Sequence, residues 1–83
     1  MKIRVRYFAS IREALGAGET LELAAGSTVA AARDVLIARS PAHAQALARG
    51  KALRSALNQT LCDEAVALPD DAELAFFPPV TGG

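Results

Sequence analysis

The chain alternates from Lys2 to Phe8, placing Ile3, Val5 and Tyr7 on one face and Lys2, Arg4, Arg6 and Phe8 on the other. This pattern predicts an amphipathic strand. Ser10-Ile11-Arg12-Glu13 has the spacing of a capping box, Ile11, Ala14 and Leu15 recur at helical intervals, and Gly16 is placed to end the turn. A short helix is expected there. Glu19 to Leu23 alternates again, with Leu21 and Leu23 inward, and Ala24-Ala25-Gly26 closes this second strand. Ser27 or Thr28 then caps the longest helix, whose apolar stripe is Val29, Ala32, Val35 and Leu36, opposite Arg33, Asp34 and Arg39. Pro41 stops it at about Ser40, and the alanine-rich stretch Ala42 to Arg49 supplies another helical turn or two before Gly50. Leu53 to Leu57 and Thr60 to Cys62 are short apolar runs separated by Asn58-Gln59, which predicts a hairpin. Ala65 to Leu68 suggests one more short strand, Pro69-Asp70-Asp71 a turn, and Glu73 to Phe77 the final strand.

Strands at both ends with one main helix between them describe an α+β domain whose sheet buries one face against that helix. In the last strand Leu74 and Phe76 share a face, and Glu73, Ala75 and Phe77 share the other. With Leu74 and Phe76 in the core beside Ile3, Val5 and Tyr7, both Phe77 and Phe8 fall on the outer face. A parallel pairing that sets Arg4 beside Glu73 also sets Arg6 near Ala75 and Phe8 near Phe77. Two exposed phenylalanines there would form an apolar docking patch, although isolated apolar residues are ordinary on protein surfaces.

Beyond Phe77 the sequence changes character, to Pro78-Pro79-Val80-Thr81-Gly82-Gly83. The two prolines fix φ, remove two backbone donors and favour an extended exit from the folded body. Gly82 and Gly83 have no Cβ, so a partner's active site could close around them and reach the terminal carboxylate. A frayed terminus is the alternative reading. The chain thus divides into a folded domain, 1–77, and an extended tail, 78–83.

Its 83 residues suit one small domain that buries roughly 60% of its unfolded surface. The hydrophobic fraction of 52% is raised by alanines. No apolar run is long enough to span a bilayer, and the N-terminus lacks the unbroken apolar stretch of a secretory signal, so a cytoplasmic location is the default expectation. Cys62 and His43 are the single cysteine and histidine, which rules out an internal disulfide and leaves no Cys-based metal site without several other ligands. They are expected as a small strand residue and a solvated helix residue. A net charge of zero argues against nucleic acid or an anionic membrane as main partner. Residues 1–54 carry all nine Lys and Arg against four acids, and residues 55–83 carry five acids and no base. This asymmetry could steer the tail-bearing half to a basic partner, or the halves could neutralise each other across the sheet.

The chain resembles the MoaD family of ubiquitin-like sulfur carriers, the small subunits of molybdopterin synthase. The resemblance extends over the whole chain and is sharpest in Asn58-Gln59-Thr60-Leu61 and in the ending from Glu73 to Gly83, with Tyr7-Phe8-Ala9 and Arg12-Glu13 near the start. A Gly-Gly end alone is shared with ubiquitin-like modifiers and the thiamine-pathway carrier; Phe-Phe-Pro-Pro-Val-x-Gly-Gly is far more specific. It implies a β-grasp fold, a mixed sheet on one main helix with the first and last strands adjacent and parallel. It also implies that a MoeB-like adenylyltransferase uses ATP to place AMP transiently on the Gly83 carboxylate. Sulfur from a persulfide donor then leaves a thiocarboxylate. The loaded tail would enter a MoaE-like large subunit and donate sulfur to cyclic pyranopterin monophosphate, within an expected heterotetramer and with no cofactor bound permanently. By the same resemblance Gly83 bears the sulfur, Gly82 gives clearance, and Pro78, Pro79, Val80 and Thr81 line the partner's channel. The resemblance also implies that Phe8, Leu61 and Phe77 contact the large subunit. A thiamine-pathway carrier, a lysine-conjugated modifier and a noncatalytic ubiquitin-like binding module that uses only its outer face are the alternative roles.

Overall fold

In the computed structural model, which describes residues 1–79, the first and last strands lie side by side at the centre of a five-stranded sheet. The elements run β1 (Lys2–Tyr7), α1 (Ala9–Leu15), β2 (Gly18–Glu22), α2 (Val29–Ile37), α3 (Pro41–Ala46), β3 (Arg54–Leu57), β4 (Thr60–Cys62) and β5 (Glu73–Phe77). The sheet order is β2-β1-β5-β3-β4. β1 and β5 are parallel and every other neighbouring pair is antiparallel, the β-grasp arrangement. Strand parity decides what is inside. Ile3, Val5 and Tyr7 join Leu21, Leu74 and Phe76 on the inner face, where they meet Ile11 of α1, Val29, Ala32 and Leu36 of α2, and Leu47. Among the described residues no helix is long and apolar enough to cross a membrane.

The anticipated register holds: Arg4 pairs with Glu73, Arg6 with Ala75 and Tyr7 with Phe76. Asn58 and Gln59 take φ of +48° and +70°, the paired left-handed conformations of a tight hairpin turn. Asn58 also ties that turn to β5, since its Oδ1 accepts the Glu73 N–H at 2.9 Å and its N–H donates to Glu73 O at 2.8 Å. At the start of β2, Gly18 lies so close to β1 that a Cβ would meet Val5 O at 2.3 Å.

Four local expectations are corrected. Ser10 does not cap α1: the extended Phe8 occupies the N-cap, the chain turns at Ala9 with φ +52°, and no side chain caps this helix. β1 passes into α1 too early for the serine to reach that position. Thr28 does cap α2, accepting the Ala31 N–H at 3.2 Å. Residues 65–68 are not a strand; they make a single bridge, Thr28 to Ala67. Their segment caps α2 instead, because Val66 O and Glu64 O accept the N–H groups of Val29 and Ala30 at 3.0 and 2.9 Å. Two of the helix's otherwise orphaned donors are thereby satisfied. Third, α2 rotates relative to the predicted stripe: Arg33 is buried and Val35 is exposed. Fourth, the long helix ends at Ile37, and Ser40 caps α3 by accepting the His43 N–H at 3.1 Å, with Pro41 at its first position.

Candidate functional site

Antiparallel and parallel pairings together align Arg6, Ala75, Ala56 and Leu61 in one row across the outer face. The next row holds Phe77 beside Arg54, and the β1 register extended by one residue brings Phe8 to the other side of Phe77. Phe8, Leu61 and Phe77 are therefore gathered onto one surface by residues far apart in sequence. Leu61 is 59% exposed and Phe8 36%. Phe77 is on the predicted face but half-buried, since Arg54 and the end of β1 flank it. The small side chains of Ala56 and Ala75 leave the surface between Leu61 and the phenylalanines low. A partner side chain could seat there.

Phe8 is held from both sides of its backbone. Its N–H donates to Phe76 O at 3.2 Å and its carbonyl accepts the Arg12 N–H at 3.3 Å. The Arg6 guanidinium lies 5.2 Å from the centre of the Phe8 ring, a cation–π contact. Arg6 in turn stands 3.7 Å from Glu73, while Arg4 stands 3.7 Å from Asp71 and donates to its carbonyl at 3.2 Å. The expected Arg4–Glu73 neighbours are thus in register, but their charges pair elsewhere, as long side chains reach the diagonal position. Pro78 and Pro79 follow Phe77 directly, half-buried and exposed respectively. The tail begins at the edge of this apolar surface. Val80, Thr81, Gly82 and Gly83, the remaining expected tail residues, lie outside the described residues.

Two charge networks brace the far side of the domain. Glu19 shares the inward parity of Leu21, and its Oε2 accepts the Tyr7 hydroxyl at 2.6 Å and meets His43 Nε2 at 2.7 Å, while Arg39 pairs with Oε1. His43 Nδ1 lies 2.6 Å from the Ser40 hydroxyl. Because a carboxylate only accepts, His43 carries a proton on Nε2, and the Ser40 hydroxyl donates to Nδ1 in the neutral tautomer. His43 is thus a half-buried bridging residue, not a solvated one. Burial pushes the Glu19 carboxyl up, but hydrogen bonds from Tyr7, His43 and Arg39 outweigh it and hold the group below the usual carboxylate range. Burial, with Glu19 beside it, pushes the Tyr7 phenol well up.

Arg33 forms the second network. Its Nε donates to Leu47 O at 2.9 Å, one terminal nitrogen to Glu64 at 2.5 Å, and the other to Ala48 O at 2.5 Å and Lys51 O at 3.2 Å. Arg49 closes the ring by binding Glu64 and, at 2.6 Å, Asp34. Against its partial burial, the two arginines hold the Glu64 carboxyl low. Arg33–Glu64, Arg49–Glu64, Arg4–Asp71 and Arg6–Glu73 all join the basic first part of the chain to the acidic second part. The charge asymmetry in the sequence is largely internal neutralisation.

Among the described residues no group of His, Cys, Asp or Glu could hold a metal ion. Cys62 is a half-buried residue of β4, 3.8 Å from the Ser55 hydroxyl. A cleft of about 220 Å³ between α1 and α3 is walled by alanines, with Ser10, Gln45 and Lys51 as its polar groups. That lining contains a single titratable side chain. The apolar outer surface, rather than a concave acid–base site, is where the arrangement concentrates features suited to recognition.

Residues 5–83 match the ThiS family. The chain is 47% identical over 81 residues to the molybdopterin synthase sulfur carrier subunit of Escherichia coli, covering 98% of this chain and 99% of that relative. Among solved structures, SAMP1 from Haloferax volcanii superposes with a TM-score of 0.81 at 25% identity, over the full length of both chains. Also at 25% identity and full coverage of both chains, a TM-score of 0.70 relates it to a chain in the Helicobacter pylori complex of subunits 1 and 2 of the molybdopterin-converting factor.

Proposed function

This chain belongs to the ThiS family, and we propose that it is the sulfur carrier subunit of a molybdopterin synthase, with Gly83 cycling between carboxylate and thiocarboxylate. The observation that carries this reading is the β1–β5 register, which gathers Phe8, Phe77 and the Pro78-Pro79 root of a Gly-Gly ending onto one face. The docking surface then leads directly into the Pro78-Pro79 root of the tail. The 47% identity to a named sulfur carrier subunit supports the same assignment.

The chemistry follows from the weakness of a carboxylate as an electrophile. An adenylyltransferase of the MoeB type joins the Gly83 carboxylate to AMP from ATP and releases pyrophosphate. The outer sulfur of a persulfide then attacks the activated carbonyl, AMP leaves, and a thiol reduces the resulting acyl disulfide to the thiocarboxylate. The large synthase subunit next receives the tail, and the thiocarboxylate, a soft nucleophile at neutral pH, delivers sulfur to the cyclic pyranopterin. Two loaded carriers serve each pterin because a dithiolene has two sulfurs. In this scheme the present chain contributes position and one atom, and ATP is the partner's substrate. Small and large subunits assemble as a heterotetramer, two of each.

Intact-mass spectrometry of the chain produced together with its activating partner and a persulfide donor tests the proposal. Replacement of one terminal oxygen by sulfur is expected, and a chain lacking Gly82 and Gly83 should stay unmodified and fail to support pterin sulfuration. A truncated chain that still supported sulfuration would refute the reading. Branched peptides at lysines would instead favour a modifier role, and sulfur delivery to a thiazole synthase but not to the pterin would favour the thiamine pathway.

A further inference from the structure

Three arginines stand on the outer face of the sheet, and they differ in what already neutralises them. Arg4 has Asp71 and Arg6 has Glu73, each at 3.7 Å. Arg54, exposed at the start of β3, enters no ion pair among the described residues. It is also the direct cross-strand neighbour of Phe77. Any protein surface that covers Phe77 therefore strips water from Arg54 as well. Burying a guanidinium without a counter-charge is costly, whereas Arg6 carries Glu73 into the interface with it.

Building on the sulfur-carrier reading, we propose that Arg54 is the specificity-determining contact of this face, meeting a carboxylate of the large synthase subunit at the rim of the pocket that takes Phe77. Arg6 has a different task. It is a positioning residue, internally neutralised, that fixes the Phe8 ring. The large subunit's surface would accordingly be apolar opposite Phe8, Leu61 and Phe77 and acidic at one edge, next to β3. A rim charge of this kind acts on the rate of encounter and on the rejection of wrong partners more than on residence time.

Association of the cognate large subunit with the full chain, followed by stopped-flow fluorescence at about 50 mM and about 500 mM NaCl, tests this. Arg54→Gln should lower the association rate about tenfold at low salt and much less at high salt, and Arg54→Glu should lower it further. Arg54→Lys, which keeps the charge, should recover most of the rate. The double variant Arg6→Gln, Glu73→Gln, which removes the internal pair without changing the net charge of the face, should leave the salt dependence near that of the parent chain while raising the dissociation rate. Thermal unfolding of each variant monitors the fold, and the lysine variant separates charge from local packing. If Arg54→Glu associates within about twofold of the parent at low salt, the Arg54 assignment is overturned while the carrier reading stands. If the parent chain itself does not bind the large subunit, both fall.

Discussion

Replacing Arg33 by Met should cost this domain a large part of its stability, although the residue lies far from the tail. Its side chain is only 4% exposed and holds three main-chain carbonyls, of Leu47, Ala48 and Lys51, together with the Glu64 carboxylate. Methionine fills the channel of the aliphatic stem but satisfies none of these acceptors. Removing one member of a fully buried ion pair costs about 3–5 kcal/mol. Glu64 is 28% exposed and keeps Arg49, so the lower end, about 3 kcal/mol, is appropriate. That is a substantial share of the roughly 5–15 kcal/mol typical of a whole domain. At about 4–8 °C per kcal/mol for this size, the unfolding midpoint should drop by about 12–24 °C. Circular dichroism melts, with urea titrations at fixed temperature, measure it. A midpoint within about 3 °C of the parent would refute the claim that the 47–51 segment is held by this guanidinium.

Leu61→Asp should leave the unfolding midpoint within a few degrees, since the side chain is 59% exposed, yet weaken large-subunit binding by about tenfold or more in calorimetric titration. Gln59→Gly should stabilise the chain by about 0.5–1 kcal/mol, read as a higher urea midpoint, because Gln59 holds φ +70°. Acid should destabilise the fold through Glu19 and Glu64. Both carboxyls are held below their ordinary value of 4.5 in the folded state, so their contribution is complete above that pH and is lost as pH falls through the lowered folded values. Urea titrations between neutral pH and pH 3 should show this decline, and the double variant Glu19→Gln, Glu64→Gln should flatten it.

Much of this architecture was legible in alternation alone. The parity of Lys2 to Phe8 and of Glu73 to Phe77 was enough to place both phenylalanines outside, because a period of two leaves no intermediate choice, and setting Arg4 beside Glu73 then gave the parallel register. The same rule, applied to Glu19, already puts that carboxylate inward with Leu21; an acid on the core side asks for partners, and Tyr7, Arg39 and His43 supply them. Arg33 was equally visible in the helical period. It stands four residues after Val29 and three before Leu36, squarely on the buried stripe, whereas Val35 lies off it. Its charge argues for the solvent face, but the acceptors waiting inside let the helical spacing prevail. What spacing could not supply was the long-range capping of α2 by the 64–66 backbone, which depends on where an irregular segment returns in space. Nor could alternation foresee that Ser10 would fall inside α1, since that depended on how far β1 stays hydrogen-bonded to β5 before the turn at Ala9.

The parallel course of β1 and β5 has a practical corollary for anyone handling this protein. Strands that run the same way start at the same end, so the amino group of Met1, beside Glu22, sits at the opposite pole of the sheet from Phe77. Affinity tags, fluorophores or surface tethers attached there leave the apolar collar at the Phe77 pole unobstructed.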